Sequence, residues 1–275
     1  MCQHVLMAAS TPFDHWWPDE WKRAWTELVS LSGAAGTLMG MPFPLTLPGD
    51  PFGAIVDAVR ARLIGKNRTF LVKGRDLTMV LDDISVEGTD LARSMGQYGE
   101  VRIAGRDIEW ESGRLDQVEI RARNVHLWPG ASPTLVAAPV LWEVDIPASF
   151  ASSWLATVEP RFDLAIGVSS PHIGLAGRAA PWARLEVEAA GEGRSILLRP
   201  RALRVGSRRL PLRLPAYHVS LAASLPSDVV LTSVEPHSAG VVMRGFVSEW
   251  RRSLSQGDVE RFVAALRTGQ GRIDI

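Results

Sequence analysis

The chain has 275 residues, with Lys+Arg and Asp+Glu equal at 30 each, so no net field draws it to nucleic acid and any anionic ligand must be met by a local patch. A single cysteine, Cys2, excludes an intrachain disulfide and leaves stability to the packed core. The length suits one large β-rich domain, expected over residues 50–248, after a Trp-rich helix and Pro/Gly linker in 1–49 and before a C-terminal helix in 249–275.

The first ten residues lack a basic start, and the apolar run from Val5 to Ala9 is shorter than the roughly 7–15 residues of a signal-peptide core. No secretion signal is expected. Asp14 can cap a helix that places Trp17, Trp21 and Trp25 on one face with Leu28. Indoles favour the membrane interface, so peripheral membrane contact through these three is one reading. The segment is net acidic, through Asp14, Asp19, Glu20 and Glu27 against Lys22 and Arg23, and interfacial helices are usually basic; docking on the chain's own core or on a partner fits better. Residues 28–49 carry no charge over 22 positions, long enough to test as a membrane span. Gly33, Gly36, Gly40, Pro42, Pro44 and Pro48 break that helix, and a linker is expected instead.

Residues 51–65 read as a helix, with Phe52, Ile55, Val56, Val59 and Leu63 on one face and Gly65 at its end. From about Thr69 the period changes to two. In residues 100–111, Val101 and Ile103 alternate with Arg102, and a phase slip at Gly105-Arg106 lets Ile108 and Trp110 continue the apolar series. Val118, Ile120 and Ala122 alternate with Glu119, Arg121 and Arg123, with a second slip at Asn124 before Val125 and Leu127. Slips of this kind are β-bulges, and bulges in long strands predict a sheet that bends around something.

A strand over 136–146 precedes a short helix at 147–158 that turns Phe150, Trp154, Leu155 and Val158 inward. Shorter strands are expected at 162–168, 173–176, 183–189, 195–198, 203–205, 219–222, 229–234 and 240–247, then an amphipathic helix at 257–266. Strands without regular helix alternation predict an α+β fold, a long curved antiparallel sheet wrapped around one or two helices.

The strings ILLRPRALRVGSRRLP at 196–211, LPSDVVLTSVEP at 225–236 and GVVMRG at 240–245 resemble the C-terminal half of the LmeA family of actinobacterial phospholipid-binding proteins. In that family a strand ending in proline leads to a G-x-x-x-P hairpin, a Leu-Pro turn and a final strand pair. The likeness runs from about Phe52 to Phe246. It implies a tubular lipid-binding-like fold whose curved sheet encloses an acyl-chain cavity, and a cell-envelope setting. The N-terminus departs from the family, since a Trp-rich helix stands where an anchor would be, and a cytoplasmic or inner-membrane-peripheral location is expected from the chain as written.

Catalytic patterns are missing from the string. There is no G-x-S-x-G, the strongest local sign of a serine hydrolase. Ser169, Ser170 and His172 read as a turn. His4, His15, His126, His172, His218 and His237 are scattered, without metal-ligand spacing. Asp82 and Asp83 read as solvated residues at a strand end whose side chains diverge, and Gly191-Glu192-Gly193-Arg194 reads as a hairpin rather than a phosphate loop. No cofactor and no metal are expected.

Seven arginines fall within twenty residues, Arg194, Arg199, Arg201, Arg204, Arg208, Arg209 and Arg213. They read either as a solvated strand face or as a headgroup site, because guanidinium forks onto phosphate. Arg121, Arg123, Arg208 and Arg209 are the headgroup candidates. Trp110, Trp128, Trp142, Trp154 and Trp182 can fill a core or line a cavity. The expected function is non-catalytic binding of phospholipid or a related acyl-chain lipid, with Ile103, Val118, Ile120, Trp142, Phe150, Trp154 and Phe246 as the wall. Two rivals are an interaction module with a packed core that recruits a partner enzyme, and a lipid hydrolase with a non-standard site.

Overall fold

Alternation of apolar and charged residues at period two builds most of the chain into strands. The computed structural model describes residues 56, 60–72, 75–110, 113–128, 134–158, 162–166, 173–177, 180–221, 225–253 and 272–274. The expected helix bearing Trp17, Trp21 and Trp25, the uncharged stretch 28–49, Ser169, Ser170 and His172, and the helix expected at 257–266 lie outside these residues.

In chain order the elements are β1 (Asn67–Val72), β2 (Arg75–Val86), α1 (Asp90–Ser94), β3 (Gln97–Trp110), β4 (Gly113–Trp128), β5 (Thr134–Ala137), β6 (Val140–Pro147), α2 (Ala148–Val158), β7 (Phe162–Ile166) and β8 (Ile173–Gly177). They continue with β9 (Ala180–Glu192), β10 (Ser195–Val205), β11 (Arg208–Pro211), β12 (Tyr217–Ser220), β13 (Val229–Pro236), β14 (Gly240–Val247), β15 (Trp250–Ser253) and β16 (Arg272–Asp274). The main sheet runs β13-β14-β6-β4-β3-β2-β1-β16, with β5 on β4 and β15 on β5. The second sheet runs β11-β10-β9-β8-β7, and β12 also pairs with β10. Pairing is antiparallel except between β1 and β16. The fold is therefore α+β and dominated by a long antiparallel sheet. Residues beyond 248 contribute β15 and β16 to that sheet.

Constant register along β3 and β4 makes the two strands change phase together. Tyr98 faces Val125, Ile103 faces Ile120, Ile108 faces Leu115 and Trp110 faces Gly113. The slips occur where Asp107 (φ 51) and Asn124 (φ 47) adopt left-handed backbone, a conformation that Asp and Asn tolerate better than other side chains. The slip at Asn124 is where the sequence places it. The other lies at Asp107 instead of Gly105-Arg106, and its carboxylate is held by Arg106 and Arg114 at 3.1 and 3.3 Å. Gly105 stays in the ladder opposite Val118, and a Cβ there would meet the Met79 methyl.

Asp82 and Asp83 lie inside β2, not at a strand end. A register shift between Leu81 and Asp83 lets both carboxylates reach arginines of β3, Asp82 to Arg106 at 2.8 Å and Asp83 to Arg102 at 3.2 Å. Residues 195–198 and 203–205, expected as separate strands, form the single strand β10, which crosses Pro200 and Arg201 by another register shift. Gly193-Arg194 closes the expected β9–β10 hairpin, with Gly193 at φ 63. Among the described residues no helix is long and apolar enough to cross a membrane.

Three transverse rows of residues cross the inner face of the main sheet from β2 to β13. They are Val86-Val101-Ala122-Val140-Val247-Val229, Ile84-Ile103-Ile120-Trp142-Gly245-Leu231 and Leu81-Gly105-Val118-Val144-Met243-Val234. Helix α2 covers part of this face, where Phe150 meets Trp110 edge-on at 5.8 Å and 76°. The indole of Trp142 lies across the strand next to it, over Gly245. A Cβ on Gly245 would sit 2.6 Å from Trp142 Cε2. Gly245→Val is expected to lower stability by about 1–3 kcal/mol through overpacking against the Val230 carbonyl and the Trp142 indole, read as a lower urea midpoint, and an unchanged midpoint would contradict this close approach.

Candidate functional site

Four of the residues expected to form a wall meet on one face. Ile103, Ile120 and Trp142 stand side by side in a single row, and Val118 is in the next. Ile120, Val118 and Trp142 are buried, whereas Ile103 is half-buried. Phe150 and Trp154 of α2 are half-buried and pack against the same core. Phe246 does not join them: it pairs with Leu141 and Val230 on the outer face, because it follows Gly245 by one residue and strand side chains alternate. Of the other tryptophans, Trp128 is 59% and Trp182 66% exposed. Trp128 carries the Arg251 guanidinium 5.9 Å above its ring.

The inner face continues onto the second sheet. The β9–β10 hairpin meets β13, where Leu231 N donates to Gly193 O at 2.6 Å and a Cβ on Gly191 would lie 2.8 Å from Leu231 Cγ. Ile196, Val219, Ala189 and Leu198 therefore join the core of the main sheet. On the same face of the second sheet Ile173 pairs with Val187, and the next row is Leu175-Leu185-Leu203-Leu210. Exposure rises along this face from 2% at Val187 to half-buried at Leu185 and Leu203 and 49% at Leu210.

At the junction of the sheets lies a groove of about 690 Å³ lined by Glu188, Ala189, Arg201, Arg209, Val234, Glu235 and Pro236. This is within the size range of about 300–1,000 Å³ for small-molecule sites. One expected headgroup residue, Arg209, lines it. Arg201 belongs to the seven-arginine cluster noted in the sequence, though not to its four headgroup candidates, and Glu188 and Glu235 were not singled out. Arg201 lies in the register shift between Pro200 and Ala202 of β10.

The remaining headgroup candidates are elsewhere. Arg121 pairs with Glu119, and Arg123 Nε donates to Glu100 at 3.1 Å, both on the outer face. There Arg102 forks onto Glu119 at 3.1 and 2.9 Å, and Arg244 bridges Glu143 and Glu235 at 2.6 Å each. The Arg102 hydrogen bonds hold the Glu119 carboxyl below the usual carboxylate range against the opposing effect of burial. Arg208 is exposed and has no carboxylate partner among the described residues. Asp145 and the His237 ring lie 2.8 Å apart at the β13–β14 turn. Among the described residues no cluster of His, Cys, Asp and Glu has the makings of a metal site.

Glu186 is the one buried charged residue in the described core, 7% exposed. Its Oε2 accepts from Arg209 Nε at 2.7 Å, and its Oε1 accepts from Arg204 at 3.0 and 2.8 Å. Comparison with family models, curated proteins and solved structures finds no match for the chain.

Hydrogen bonds from Arg209, then from Arg204, depress the Glu186 pKa, and burial opposes them. The stabilisation is complete above the ordinary carboxylate pKa and fades as pH falls through the lower native value. Glu186→Gln is expected to cost about 1–2 kcal/mol at neutral pH, discounted because both guanidiniums are half-exposed. In urea titrations the gap from wild type should close as pH falls below the ordinary carboxylate range, and a gap independent of pH would contradict the ion-pair origin.

Proposed function

We propose that the protein binds a phospholipid or another acyl-chain lipid without altering it chemically. The observation that carries this reading is the apolar face shared by the two sheets, which is buried at Val187 and becomes exposed toward Leu210. A narrow apolar strip with one wet end suits a long hydrocarbon. Burial supplies about 0.8 kcal/mol per methylene, so about ten methylenes outweigh an exposed ion pair worth at most about 1 kcal/mol.

In this proposal the chain lies along Ile103 and Trp142 toward Leu185 and Leu203, beside the half-buried rings of Phe150 and Trp154 on α2. The phosphate sits in the groove at the sheet junction, near Arg201 and Arg209, and the headgroup reaches it round the β11 edge, because Arg209 and Glu186 alternate with Leu210 and Leu185 and so face away from the leucine strip. Both guanidiniums already hold carboxylates, Glu188 and Glu186. An incoming phosphate shares or displaces those partners, which makes the headgroup contribution modest and leaves affinity to the hydrocarbon. No covalent step is called for. Together with the strings at 196–211 and 225–236, this supports placing the protein with LmeA-like lipid-binding proteins at the cell envelope or on a membrane periphery.

A packed interaction module that recruits a partner enzyme is the second reading, and it is favoured by Ile108, Leu115, Val229 and Val247, all 0% exposed. Native mass spectrometry of the gently purified chain separates the two. Lipid binding predicts a mass excess matching a phospholipid that organic extraction removes. Leu203→Glu is expected to reduce retained lipid about tenfold or more, because a charge in the strip costs over about 1.4 kcal/mol. A clean apo mass with no uptake of added lipid would favour the packed module.

A further inference from the structure

We infer that one edge of the second sheet, formed by β11, residues 212–216 and β12, is a docking edge for an anionic lipid bilayer. β11 and β12 follow one another along the same edge of β10, pairing with Ala202 to Val205 and with Ser195 to Leu198. The connection between them is tied down where Leu212 N donates to Arg201 O at 3.0 Å. The edge is thus held against β10, and apart from buried Val219 and half-buried Leu212 its residues are exposed.

Its composition differs from the rest of the molecule in two ways. Residues 195–227 hold six arginines and no Asp or Glu. Arg201, Arg204 and Arg209 are neutralised by Glu188 and Glu186 of β9, whereas Arg199, Arg208 and Arg213 are exposed and have no carboxylate partner among the described residues. On the outer face of the main sheet, by contrast, Arg102, Arg106, Arg121, Arg123 and Arg244 all face carboxylates. Interleaved with the unpaired cations are Leu210, Leu214 and Tyr217, exposed by 49, 56 and 53%.

Cations and large apolar side chains held together in water suit an occupant that uses both. A bilayer interface does so: guanidinium meets the lipid phosphates, while leucine and tyrosine enter the headgroup and acyl boundary. RNA would use the arginines and leave Leu210 and Leu214 in water. The charge complementarity of a carboxylate-free edge commits the proposal to an anionic membrane. It shares Leu210 with the open end of the apolar strip but does not rest on the cavity reading, since the edge can seat on a bilayer whether or not lipid is held inside.

The test is sedimentation of the full chain with vesicles of equal parts phosphatidylglycerol and phosphatidylcholine, against vesicles of phosphatidylcholine alone. Docking predicts binding to the anionic vesicles that weakens with added salt. Each arginine near such a surface strengthens binding about fivefold, so Arg208→Ser with Arg213→Ser should weaken it about 25-fold. Leu210→Ser with Leu214→Ser keeps the charge and should also weaken it. All four positions are exposed, and circular dichroism melts check that the variants fold. The proposal is overturned if wild type ignores anionic vesicles, if the arginine variant binds as tightly, or if the leucine variant binds as wild type does. Lipid extracted from the same purified samples reports separately on the cavity reading, which can fail while docking succeeds.

Discussion

The constraint on which the structure depends is that β3 and β4 change phase at the same levels. Both strands are far longer than a typical strand of about five or six residues, and a flat pair of that length would carry its apolar side chains away from a compact core. Left-handed backbone at Asp107 and Asn124 resets the alternation without breaking the register, so Tyr98 and Val125, Ile103 and Ile120, and Ile108 and Leu115 all remain on one side. Because β2, β6, β14 and β13 are aligned to this pair, their inner residues fall into transverse rows. The seat of α2, the stacking of Trp142 over Gly245 and the meeting with the second sheet all follow from those rows.

The outer face is arranged by electrostatics in a complementary way. Glu119 and Glu143 are directly opposed on β4 and β6, a repulsive arrangement if left alone. Arg102 and Arg121 on one side and Arg244 on the other neutralise it. Such pairs contribute little stability individually at an exposed surface. Their consequence here is to occupy the guanidiniums of the central strands' outer face, whereas Arg199, Arg208 and Arg213 of β10, β11 and the 212–216 connection have no carboxylate partner among the described residues. The paired arginines reach carboxylates that lie directly or diagonally across from them, as Arg123 reaches Glu100 and Arg102 reaches Glu119, and Arg208, opposite Val205, has none within reach among the described residues.

Much of the fold was legible in the string. The alternation around Val101, Ile103, Val118 and Ile120 announces long strands, Asn124 announces a change of phase, though the register there stays constant and no bulge forms, and the rings at Phe150 and Trp154 announce a helix that faces inward. What was hidden depends on cross-strand neighbours. Phe246 looks like a wall residue in isolation, and only its pairing with Leu141 and Val230 puts it on the outer face. Asp82 and Asp83 look divergent until the shift against Gly105 and Ala104 brings both to arginines. Arg121, Arg123 and Arg208 are alike as letters, and the difference between them is whether a glutamate lies beside them in the next strand. Arg201 was obscured because Pro200 suggested a strand break, whereas β10 absorbs the proline as a bulge.

The central claim is that the apolar face shared by the two sheets holds hydrocarbon along its length. Crystallography of the full chain with a phospholipid carrying bromine at known acyl positions tests this most directly, since anomalous scattering locates each bromine. The claim predicts peaks in series against Ile103, Trp142 and Leu203. Bromine absent from that face, with its side chains closed into a solid core, would contradict it.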